Sequence, residues 1–87
     1  MAQIVYAAHA LDEVERAHQP AGAAAIQSAV DNLAAHPLVG RRVEDDLREL
    51  VISFGDTGYI ALYRFVVQQD TVRVLALRHQ REIGYLP

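Results

Sequence analysis

The sequence predicts an α+β fold in the order β-α-α-β-β-β: an N-terminal strand, an α-helical hairpin, then a three-stranded antiparallel meander, with the helices on one face of the sheet. Three observations carry this reading. Residues 47–54, 59–67 and 71–78 are apolar-rich stretches of strand length, each parted from the next by a short turn cluster. Residues 11–17 and 21–36 carry apolar side chains at helical spacing, interrupted by Gln19-Pro20-Ala21-Gly22. A short apolar stretch at residues 3–8 precedes both. A chain of 87 residues makes a single domain, 1–87.

Each element has its own justification. In residues 3–8, Ile4 and Tyr6 share one strand face and Val5 takes the other. His9-Ala10 leads into the first helix. There Leu11, Val14 and Ala17 form the inner stripe, and Asp12, Glu13, Glu15 and Arg16 fall outside. The second helix places Ile26, Ala29, Val30, Leu33 and Ala34 on one stripe, behind the strong helix formers Ala23, Ala24 and Ala25. His36-Pro37 ends it, and Gly40 lets the chain turn away. Arg41–Asp46 reads as a polar link of balanced charge. In Leu47–Phe54, Leu50, Ile52 and Phe54 share a face with Arg48, while Leu47, Glu49, Val51 and Ser53 share the other. Gly55-Asp56-Thr57-Gly58 and Gln68-Gln69-Asp70 are the turns of the meander.

The last strand is apolar on both sides. Val72, Val74 and Ala76 point one way and Leu75 and Leu77 the other, which places the strand inside the sheet rather than at its edge. The strand before it likewise sets Tyr59, Ala61, Tyr63 and Phe65 against Ile60, Leu62 and Val66. One helix layer covers only one sheet face, so the pattern predicts an apolar face left for a partner.

Composition excludes several classes. There is no cysteine, so neither a disulfide framework nor a thiolate metal site supplements a thin core. The four histidines have no metal-ligand spacing, Glu44, Asp45 and Asp46 read as a solvated loop, and no cofactor is expected. No apolar run approaches the roughly 20 residues needed to cross a bilayer, and the first residues lack the basic region of a signal peptide. A cytoplasmic protein without membrane contact is expected. The net charge of −3 argues against direct DNA binding. All eight cations are arginine, and seven lie at or after Arg41. The last strand runs straight into Arg78, His79, Gln80, Arg81 and Glu82, a cluster of charge at the end of a rigid element.

These residues resemble the RelE/ParE superfamily of toxins from bacterial type II toxin–antitoxin pairs. The likeness rests on Leu47-Arg48-Glu49-Leu50, Tyr63-Arg64 and Leu75-Ala76-Leu77-Arg78-His79-Gln80-Arg81, with His36-Pro37 and Gly40-Arg41 after the second helix. It covers essentially the whole chain, in order. The resemblance implies a cognate antitoxin whose C-terminal segment covers the toxin, with Tyr63, Phe65, Val74 and Ala76 as expected contacts. It implies one of two activities. RelE-like members cleave mRNA on the ribosome, and ParE-like members bind DNA gyrase and poison it.

A nuclease needs a base for the 2′-hydroxyl, cations for the pentavalent phosphate and an acid for the leaving oxygen. Arg48, Arg64, Arg78, His79 and Tyr85 fall where the resemblance would place such groups. Against this, the chain has no lysine, and its second helix carries no cation. The stretch LRHQR resembles ParE-like endings, which makes Arg78, His79, Arg81 and Tyr85 the expected target-binding residues. An inactive relative that only binds its antitoxin is the third reading. Arg64 also has a plain alternative, a cross-strand ion pair with Glu49 or Asp70.

Overall fold

The computed structural model describes residues 1–15, 20–54 and 57–79. The chain forms β1 (Gln3–Tyr6), α1 (Ala8–Glu15), α2 (Pro20–Ala35), β2 (Arg41–Glu44), β3 (Leu47–Phe54), β4 (Thr57–Val66) and β5 (Thr71–His79). The strands make one sheet in the order β1-β5-β4-β3-β2. β1 lies parallel to β5, and every other pairing is antiparallel. The expected α+β class therefore holds, with β5 flanked on both sides as its two apolar faces require.

The helices bury one sheet face. Ala10 and Val14 of α1 and Ile26, Val30 and Leu33 of α2 meet Ile52, Ala61, Tyr63, Val72, Val74 and Leu77 in one cluster. Val30, Leu33, Tyr63, Val72 and Val74 are fully enclosed. Each such aliphatic side chain contributes about 1.5–3 kcal/mol relative to exposure. α1 packs chiefly on β5, and α2 on β3 and β1. α2 starts at Pro20, where a missing N–H costs nothing because the first turn has no intrahelical acceptor for it. Pro20 thus opens the second helix, and residues 16–19, with Ala17 of the expected first-helix stripe, lie outside the described set.

Four details depart from the sequence reading. The expected polar link at 41–46 contains a strand: Arg41 and Arg42 pair with Glu49 and Arg48, and all four β2 side chains are exposed. An edge strand with no buried face shows no alternation to read. In α1 the inward positions are Ala10 and Val14, whereas Leu11 is 46 % exposed and Glu13 is turned toward β5. β4 reaches back to Thr57, so Gly58 pairs with Ser53 instead of lying in the turn; residues 55–56 lie outside the described set. Finally, β5 carries a bulge. Leu62 faces Ala76 but Tyr63 faces Val74, which leaves Leu75 as the extra residue. The bulge resets the alternation, so Leu77 joins Val72 and Val74 in the core while Ala76 goes to the other face.

The β4–β5 connection is a single turn of 3-10 helix, Val67–Gln69, closed by Asp70 in the left-handed region at φ 48°. The Thr71 hydroxyl donates to the Gln69 carbonyl at 2.9 Å and ties the start of β5 to this turn.

Candidate functional site

The sheet face away from the helices is set by register. It carries Leu47, Glu49 and Val51 from β3, Ile60, Leu62 and Arg64 from β4, and Arg73, Ala76 and Arg78 from β5. None of these side chains belongs to the core cluster beneath the helices. The face is mixed. Ile60 and Ala76 are buried, Val51 is 54 % exposed, and Arg64 and Arg73 sit directly opposite each other across the β4–β5 ladder.

Among the described residues the candidate cations do not converge. Arg48 pairs with Tyr63 in the β3–β4 register and Arg64 with Leu47, so the two arginines stand on opposite faces of the sheet. Arg48 Nη1 donates to the carbonyls of Leu38 at 3.1 Å and Gly40 at 2.8 Å, clamping the loop between α2 and β2. Arg64 pairs with Asp46 (Nε to Oδ1, 3.0 Å) rather than with Glu49 or Asp70. Glu49 is instead taken by Arg41, whose exposed guanidinium covers the buried carboxylate. Arg78 Nη1 donates to Glu13 Oε2 at 2.9 Å. His79 packs edge-on against Tyr59, with ring centroids 5.3 Å apart. Among the described residues Arg48, Arg64, Arg78 and His79 are thus each engaged in a separate contact, and Arg48 is held by backbone oxygens on the helix side. Arg81 and Tyr85 lie outside the described residues.

The expected antitoxin contacts also divide. Tyr63 and Val74 are fully buried under the helices, so in this fold they have no surface to offer a partner. Phe65 is half-buried at the margin of that core. Ala76 alone of the four faces away from the helices, because the bulge at Leu75 separates it from Val74. On the outward face Ile60 is as fully buried as Tyr63 and Ala76 is buried too, so the accessible apolar side chains there are Leu47, Val51 and Leu62.

Tyr63 has a structural task. Its Oη accepts a 2.8 Å hydrogen bond from Gly40 N–H. Burial raises the Tyr63 pKa above the ordinary phenol value, an effect partly opposed by the Gly40 N–H and by the nearby Arg48 charge. Tyr6 is raised too, by burial first and then by the negative charge of Asp31.

The residue that sequence reasoning missed is Glu13. Its side chain is only 17 % exposed, and its Oε1 accepts from the backbone N–H of Leu77 at 3.0 Å while its Oε2 takes Arg78. Nothing local announces this, since the partners lie 64 and 65 residues away. Among the described residues no cluster of histidine and acidic side chains could hold a metal ion, and no helix is long and apolar enough to cross a membrane.

Comparison with known proteins places this geometry. Residues 4–84 match the family described as the ParE toxin of type II toxin-antitoxin systems, parDE. The protein Toxin RelE3 of Caulobacter vibrioides is 42% identical over 57 residues, 66% of this chain and 60% of that protein. The chain therefore matches less than two thirds of the length of this curated relative. The structure of the toxin–antitoxin complex RelBE2 from Mycobacterium tuberculosis holds a similar chain at 25% identity with a TM-score of 0.71, covering 90% of this chain and 96% of that one. The isolated E. coli RelE toxin shares the fold at 13% identity and a TM-score of 0.76, covering 91% and 84%.

Proposed function

Because the chain belongs to the ParE toxin family of type II toxin–antitoxin systems, we propose that it is a growth-inhibiting toxin held in check by a cognate antitoxin, and that it acts by binding DNA gyrase rather than by cleaving RNA. One observation carries the choice. Among the described residues Arg48, Arg64, Arg78 and His79 are dispersed over both sheet faces and separately engaged, which is not the convergent base, phosphate clamp and acid that RNA cleavage needs. A binding toxin needs only a specific surface, and we assign that role to the end of β5, where Arg78 keeps 40 % of its side chain in solvent. The family match and the likeness to the toxin chain of the RelBE2 toxin–antitoxin complex support the antitoxin partner. The outward sheet face, whose accessible apolar side chains are Leu47, Val51 and Leu62, is the surface we assign to it. The net charge of −3 fits a toxin that leaves DNA binding to its partner.

Supercoiling by purified gyrase, titrated with the protein freed from its antitoxin, tests the reading. Inhibition or accumulation of cleaved DNA is expected. Full gyrase activity beside a working positive control would overturn it. The likeness to Toxin RelE3 favours a second reading, ribosome-dependent mRNA cleavage. Translation arrest with cut codons in the ribosomal A site would establish that reading instead.

A further inference from the structure

β1 accompanies β5 only from Thr71 to Val74, and its last contribution is the bond from Ala7 N–H to the Val74 carbonyl at 2.9 Å. The chain then turns into α1, and among the described residues no strand lies beside the next stretch of β5 on that edge. Glu13 fills the place. One carboxylate oxygen accepts the Leu77 backbone N–H, and the other holds the Arg78 guanidinium. His9 Nε2 lies 3.4 Å from Oε1, one helical turn back. The carboxylate is largely enclosed at 17 % exposure, whereas Arg78 keeps 40 % of its side chain in solvent.

This arrangement is directional. A guanidinium gripped from behind by an enclosed carboxylate has fewer rotamers to lose on binding, so its outward face is set before a partner arrives. The same carboxylate fixes the backbone of the strand that carries Arg78. We propose that Glu13 is a positioning residue for Arg78, and that α1 thereby orients the charged end of β5 toward the toxin's target. The inference rests on the reading of this chain as a toxin that uses Arg78. It adds a residue on a different element, far away in sequence, to that surface.

Glu13→Gln separates the two jobs. The amide oxygen still accepts from Leu77 N–H, but the charge that holds Arg78 is gone. The first readout is the Nε–Hε signal of Arg78 in isotope-labelled full-length protein. It is expected to be sharp in the parent and shifted and broadened in Glu13→Gln, with Leu77 amide exchange little changed. An Arg78 signal identical in both would overturn the proposal. The second readout is growth arrest at titrated expression. Glu13→Gln is expected to raise the protein level needed for arrest by about threefold or more, and the double variant Glu13→Gln/Arg78→Ala to require no more than Arg78→Ala alone. Losses that simply multiply would reduce Glu13 to a packing role and overturn the proposal. So would unchanged toxicity of Glu13→Gln. If the parent protein itself causes no arrest, the toxin reading fails, and the Arg78 signal still reports the grip independently.

Discussion

The Tyr63 hydroxyl and the Gly40 backbone N–H meet at 2.8 Å across 23 residues, pinning the loop after α2 to the middle strand of the sheet. The glycine is there for space. A β-carbon at position 40 would lie 2.6 Å from Tyr63 Oη and 2.8 Å from the Glu49 carbonyl oxygen, closer than such atoms approach. The carbonyl belongs to β3 and cannot step aside. Gly40→Ala is therefore expected to destabilise the fold by about 1–3 kcal/mol through overpacking. Tyr63→Phe keeps the ring and loses only the hydrogen bond, at about 0.5–1.5 kcal/mol, with an added cost for the buried N–H left unpaired. Urea unfolding of both variants, with unchanged m-value, checks the order Gly40→Ala at least as damaging as Tyr63→Phe.

The raised pKa of the same phenol makes a prediction about alkaline pH. Tyr63 in the fold holds its proton above the pH at which an unfolded tyrosine releases it, near 10. The unfolded state then binds fewer protons, so stability falls as pH rises. The contribution is complete below about pH 10 and is lost as pH climbs through the higher folded-state value. Tyr6, shifted in the same direction, adds to it. Thermal melts from pH 8 to 11 are expected to fall more steeply for the parent than for Tyr63→Phe. Parallel curves would show that Tyr63 ionises as freely in the fold as outside it.

The parts of this fold that show in the sequence are those where burial imposes a period. β3 was legible to its ends because Leu50 and Ile52 alternate with Glu49 and Val51, and the structure sends the two sets to opposite faces. The α2 stripe of Ile26, Val30 and Leu33 was legible for the same reason. β2 was not, since Arg41–Glu44 buries no side chain, and an exposed edge strand looks like a loop. The bulge at Leu75 was hidden by its setting. Where both faces of a strand are apolar, a slip in the alternation leaves no mark, so Ala76 and Val74 were expected together and Leu77 apart from them. The site suffered most, because its contacts are long-range. That Arg48 faces Tyr63 and Arg64 faces Leu47 depends on the β3–β4 register, and the Glu13–Arg78 pair depends on where α1 settles on β5.

Arg48 gives a discriminating test. Its guanidinium is spent on the Leu38 and Gly40 carbonyls on the helix side of the sheet. Arg48→Ala is expected to lower stability by about 1.5–3 kcal/mol, the range for hydrogen bonds that involve a charged group. Toxicity per folded molecule should not change. The measurement is growth arrest normalised to soluble protein, alongside a melting curve. A nuclease that used Arg48 on phosphate would lose activity far beyond its loss of stability, and that outcome would revive the RNA-cleaving reading.

Arg64 and Arg73 give the last prediction. They face each other across the β4–β5 ladder on the outward sheet face, where like charges oppose pairing. Arg64 has Asp46 as counter-ion at 3.0 Å, on an exposed turn, while the Arg73 guanidinium makes no hydrogen bond or ion pair with a described residue. Arg73→Glu turns the repulsion into a cross-strand attraction and is expected to stabilise the free protein by about 0.2–1 kcal/mol, less at high salt. If this face is the antitoxin's, the same substitution removes a cation from the interface and should weaken the complex. Chemical denaturation of the free chain and calorimetric titration with the antitoxin then move in opposite directions. A variant more stable alone and bound just as tightly would take Arg73 out of the interface, leaving Leu47, Val51 and Leu62 to carry it.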